Sequence, residues 1–220
     1  VSLSRTGPAG LPRPRPVRLT ALALYLRSRA LPGALAALVG VAVAAAWIAR
    51  WLESLPGFDH TARLPVVVFG PLVAAAAVGT SLYTPSDELD RTAVRAWWPR
   101  RLAHLLVPTA LAAALFALAL PGHPEAFGAP AAVRDTLGLV GVAAGSAAVI
   151  GARLSWLPPA FSVGTVYLAA PARPGGAAQW WAWVMQPGPQ AGAWTVAACA
   201  FVAGTGLYAW RGARRTAAEA

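Results

Sequence analysis

The sequence has no lysine, one cysteine, three histidines and eight acidic residues among its 220 positions. Without lysine there is no nucleotide-binding P-loop, whose lysine contacts the phosphates, so the chain cannot hydrolyse ATP by that machinery on its own. The lone Cys199 excludes an intrachain disulfide and any metal site built on cysteines, and its place in an apolar run suits a small packing residue. Charged residues make up 12% of the chain and hydrophobic residues 57%. That is too little charge to cover the surface of a soluble domain. The composition is that of a membrane protein.

What the chain does have is arginine. Eighteen arginines set a formal net charge of +10. In a soluble protein such an excess points to nucleic acid. Here the arginines flank apolar runs, and the retention of positive charge on the cytoplasmic side of a membrane accounts for them better, so no nucleic-acid partner is expected. The runs cover residues 32–50, 64–83, 102–120, 134–152, 154–172 and 192–210. Each is near the roughly 20 residues that cross a bilayer core as helix. The fold class expected is an all-α membrane protein with six transmembrane helices in a domain over 32–211. No polar mature domain follows the first run, so it reads as a span rather than a signal peptide. With the N-terminus inside, fourteen arginines fall on the inner side, while Arg50, Arg63, Arg134 and Arg173 fall outside. Both termini are then cytoplasmic.

Tryptophan follows the same boundaries. Trp47 and Trp51 close the first run, and Trp97, Trp98, Trp156 and Trp210 fall at inner boundaries. Amphipathic rings prefer the headgroup level, so these six read as interfacial anchors. Trp180, Trp181 and Trp183, with Met185 beside them, form a denser outer cluster. It reads as further anchoring or as a stacking surface and outer gate for an apolar or aromatic substrate.

The connections are informative. Residues 1–18 form a basic, proline-rich tail, and residues 19–31 carry Leu19, Leu22 and Leu26 at helical spacing beside arginines. An amphipathic helix along the inner surface is expected there, with an extension of the first span as the plainer reading. Between the second and third runs, Thr84 and Asp87 have capping-box spacing with Pro85 at the first helical position. Acids then lead and arginines follow, as the helix dipole favours. A short cytoplasmic helix over residues 84–98 is predicted, ending before Pro99. It is a docking element or an ordinary solvated helix. Gly141 and Gly145 form a GxxxG in the fourth run, for packing within the chain or across a dimer. Residues 171–192 are too apolar for a free loop and too rich in proline for a span, which suggests a reentrant outer segment packed on protein. Residues 212–220 are a cytoplasmic tail.

Catalytic chemistry is thinly represented. Gly145-Ser146 lacks the setting of an intramembrane serine protease, and the histidines lie near run ends. Asp87, Glu88 and Asp90 would need a second carboxylate group to hold a catalytic metal. No metal site and no enzymatic activity are expected. The runs contain no ionisable group that reads as buried, which argues against a proton-coupled carrier. His104, at the inner mouth of the third run, comes nearest and reads as interfacial.

An inner-surface helix, six spans, a capped acidic-to-basic helix after span two and a reentrant segment before span six together resemble the type-two permease subunits of ATP-binding-cassette exporters. The stretch SLYTPSDELDRTAVRAWWPRRLAHLL is similar to the corresponding loop of small actinobacterial permeases of that kind. The topological likeness covers nearly the whole chain and the sequence-level likeness about residues 80–106; the basic tail before Arg18 departs from it. The resemblance implies a bacterial cytoplasmic membrane protein without a cofactor of its own, ATP and Mg being bound by a partner ATPase subunit. Residues 84–98 would be the coupling helix, with Asp87, Glu88, Leu89, Asp90, Arg91, Val94 and Arg95 facing that partner. A second permease subunit, identical or related, would complete the pathway. An apolar or amphipathic cargo moving outward is implied. The competing class is a non-transporting anchor or assembly subunit of a larger membrane complex.

Overall fold

The structure is a computed structural model that describes residues 31–56, 63–82, 98–122, 125–170 and 174–214. The basic tail, the interfacial helix up to residue 30, the coupling segment with Asp87, Glu88, Leu89, Asp90, Arg91, Val94 and Arg95, Trp97, and residues 215–220 lie outside the described residues. Those described form helices and turns with no strand. In order they are α1 (Leu31–Ser54), α2 (Leu64–Ser81), α3 (Trp98–Ala119), α4 (Ala129–Ile150), α5 (Leu157–Ala169), α6 (Ala178–Trp181) and α7 (Ala191–Arg211). Two 3-10 turns, Ala152–Leu154 and Trp183–Met185, interrupt the chain on either side of α5 and α6.

Prolines set where several helices begin. Pro65, Pro130 and Pro158 stand in the first positions of α2, α4 and α5, and Pro99 is the second residue of α3. A proline there loses no hydrogen bond, because the first turn's N–H groups have no intrahelical partner, and its fixed φ suits the helix. Pro99 thus sits in the first described turn of α3, and the helix expected over 84–98 lies outside the described residues except for Trp98.

α4 is the axis of the bundle. Of its most apolar window 61% is buried, against 22% for α1. It packs most extensively on α7, then on α2 and α3, while α1 leans on α2 and α3 at the periphery. Gly138 faces Ala197, Gly141 faces Ala200 and Phe201, and Gly145 faces Gly204. Residue numbers rise together across this seam, so α4 and α7 run parallel. A Cβ on Gly204 would land on the Gly141 carbonyl, and one on Gly141 on the backbone of Phe201. The two backbones touch, and dispersion over that surface is the main attraction available between helices in lipid. The structure thus places the GxxxG glycines against α7 of the same chain.

The outer surface is apolar. Val43, Val107, Leu118, Phe161, Leu168 and Val202 all project outward. A soluble monomer would not expose so much, whereas lipid requires it. Among the described residues five helices, α1 to α4 and α7, are long and apolar enough to cross a membrane. The sequence expectation of a sixth such run at 154–172 needs correcting. Gly151, at φ 98°, ends α4 and a 3-10 turn follows, so α5 has only thirteen residues. At 1.5 Å per residue that is about 20 Å, against roughly 30 Å of hydrocarbon. The fourth run also shifts: its helix begins at Ala129 rather than at 134.

Candidate functional site

The shift in α4 places two charged residues inside the bundle. Gly128 and Pro130 start the helix early, so Arg134 and Asp135 fall in its second turn, and neither exposes any surface. The expectation of spans free of buried charge, with Arg134 in an outer loop, is therefore overturned. Arg134 Nε donates to Asp135 Oδ1 at 2.9 Å, and Nη2 approaches the same oxygen at 2.8 Å. Its Nη1 donates to the Pro187 carbonyl at 2.9 Å and Nη2 to the Gln186 carbonyl at 2.8 Å. A guanidinium out of water is tolerable only when paired and hydrogen-bonded, and here each of its three nitrogens has a partner. Asp135 Oδ2, also buried, makes no hydrogen bond among the described residues.

Arg134 bonds to the segment between α5 and α7, expected to be reentrant. It consists of α6, the turn Trp183–Met185 and extended residues, so many backbone groups need outside partners. Side chains supply several. Gln186, itself buried, accepts from the Gly175 N–H at 2.7 Å, and Gln179 accepts from the Gly192 N–H at 3.2 Å. Trp194 Nε1 donates to the Gly188 carbonyl at 2.8 Å, and the Gly188 N–H donates to Ala126 at 2.9 Å. The Trp183 ring rests on Gly138, where a Cβ would displace it. Gly138 is nine residues along α4, about 13 Å of helix, so the segment reaches well down the bundle.

The proposed gate residues do not form one surface. Trp180 and Trp181 are exposed, Trp183 turns inward onto α4, and Met185 is half-buried beside the buried Val184. Of the six anchor tryptophans, five are described. Trp47, Trp51, Trp98, Trp156 and Trp210 all project from the surface near helix ends. No family model, curated protein or solved structure matches the chain. The chemistry available is thus that of the chain's own side chains.

A second ion pair, Glu53 with Arg63, links the end of α1 to the start of α2, and Arg63 Nη1 donates to the Pro121 carbonyl at 3.2 Å. At the opposite end, His104 Nε2 lies 3.1 Å from the Ser81 carbonyl, and Arg214 Nη1 donates to Val149 at 3.0 Å, each meeting a carbonyl in the last turn of a helix. The sequence reading did not anticipate the buried pair. Its signal was an Arg-Asp dipeptide, neutral overall, following a Gly-x-Pro helix start.

Proposed function

We propose that this chain is the transmembrane permease subunit of an ATP-binding-cassette exporter. The observation that carries the reading is the parallel packing of α4 and α7 across their glycine seam. Two parallel helices oblige the chain between them to return, and α5 is the element that does so. Thirteen helical residues with a segment folded back from the far end make a sixth, composite crossing. Both termini then lie on one side, which the arginine bias makes cytoplasmic in a bacterial inner membrane. A reentrant segment before a last long span is what the resemblance to type-two permeases calls for.

On this reading residues 84–98 join α2 to α3 on the cytoplasmic side and dock into a separate ATPase. Glu88, Asp90 and Arg91 supply polar contacts and Leu89 an apolar one, while ATP and Mg stay with the partner. Closure of two such ATPases drives two permease subunits, and an apolar or amphipathic cargo moves outward between them. The buried charges do not argue for an ion as cargo, because Arg134 and Asp135 neutralise each other and Arg134 is further tied to backbone carbonyls. Affinity purification of the chain from its native membrane, followed by assay of ATP-driven efflux, tests this. An ATPase co-purifies, and replacing Glu88 and Arg91 together abolishes both association and efflux. If both survive, the coupling role is wrong. A complex that contains no ATPase favours a non-transporting anchor subunit.

A further inference from the structure

At the end of the bundle where α3 begins and α7 ends, an open groove of about 450 Å³ is lined by Trp98, Arg101, Gly206, Ala209 and Trp210. Trp98 and Arg101 are three apart on α3, and Gly206, Ala209 and Trp210 recur at helical spacing on α7, so each wall is one helix face. The walls end in two indoles, Trp98 at 57% exposure and Trp210 at 76%. The floor is open, since nothing lies within 4 Å of the position a Cβ on Gly206 would take. The mouth is cationic. Gly212, at φ 73°, ends α7, and a Cβ there would meet the Arg101 guanidinium carbon at 2.9 Å, so the missing side chain seats that guanidinium. Arg211 places a second guanidinium 5.1 Å from the Trp210 ring centre.

We propose that this groove binds one anionic phospholipid. Its phosphate meets Arg101 and Arg211, and the upper part of an acyl chain lies over Gly206 and Ala209 between the two indoles. Guanidinium pairs with phosphate through charge-assisted hydrogen bonds, and basic pockets between transmembrane helices suit anionic headgroups. Among the described residues that line it, four of five carry no charge, which favours an amphiphile over free phosphate. The inference needs the helices to cross a membrane and does not depend on the permease reading.

The test is native mass spectrometry of the purified full chain titrated with phosphatidylglycerol, with phosphatidylcholine, and with inorganic phosphate as competitor. One phosphatidylglycerol per chain is retained in preference to phosphatidylcholine. Arg101→Gln, which removes one charged hydrogen-bond donor, lowers its retention by about tenfold. Gly206→Leu fills the groove with the arginines intact and lowers retention similarly; leucine also favours helix over glycine, so this variant decides the matter if Arg101→Gln does not fold. Gly40→Leu, at an equally open position on α1, leaves retention unchanged. Equal retention of the two lipids, or undiminished retention by Gly206→Leu, overturns the proposal. So does displacement by inorganic phosphate at concentrations equal to the lipid's, which would make this a phosphate site.

Discussion

Where α1 and α3 finish and α4 and α7 begin, the described arginines Arg50, Arg63 and Arg134 share the end of the bundle with Glu53, Glu125 and Asp135. At the other end lie Arg100, Arg101, Arg153, Arg211 and Arg214, and the connection from α2 to α3, which joins helices at that end, carries Asp87, Glu88 and Asp90 in its sequence. At the first end arginine is structural: Arg63 and Arg134 are buried, paired with carboxylates, and bonded to carbonyls of distant segments. At the second end Arg211 and Arg214 are exposed, and Arg214 bonds a carbonyl in the last turn of α4. The same residue type thus closes connections at one end and supplies surface charge at the other. Burial makes the difference, because an ion taken from water must be fully compensated.

If that contrast is right, the largest loss of stability comes from Arg134→Ala. It strands Asp135 and two carbonyls, and should cost about 3–5 kcal/mol in reversible unfolding from detergent. The pair Arg134→Met with Asp135→Leu should recover most of it, and failure to recover would mean that the bonds to Gln186 and Pro187 outweigh the charge balance. Next is Gly204→Ala, which sets a methyl group against the Gly141 carbonyl along the seam joining the two ends. Overpacking there should cost about 1–3 kcal/mol, read as a lower melting temperature. Glu53→Gln should cost about 1–2 kcal/mol, since its partner Arg63 keeps the bond to Pro121. The smallest effect is expected at the exposed Arg211. Arg211→Ala loses an exposed cation–π contact worth about 0.5–1 kcal/mol, and a larger drop in melting temperature would blur the distinction.

The helix seam was legible because glycine at a spacing of four is a packing pattern in itself, although whether it served this chain or a second copy was not. The prolines were legible as boundaries but ambiguous in sign. Pro65, Pro130 and Pro158 stand in first turns, where proline costs no hydrogen bond, whereas Pro71 and Pro108 lie inside α2 and α3. The candidate gate was half legible: four bulky residues within six positions were evident, but not that Trp183 turns inward onto Gly138 while Trp180 and Trp181 turn outward. Arg134 and Asp135 were missed because charged residues at the edge of an apolar run normally mark its end. Their burial depends on partners more than fifty residues away, Gln186 and Pro187.

Composition and the spacing of apolar runs determined by themselves that this is a helical chain built for lipid, since periodic greasy stretches without charge leave no other way to satisfy the backbone. Only the tertiary structure decided that α4 is the axis, that α7 runs parallel to it, and that α5 is too short to cross alone. Those outcomes rest on close approach of backbones and on hydrogen bonds between distant residues, and neither is encoded in any local window of sequence.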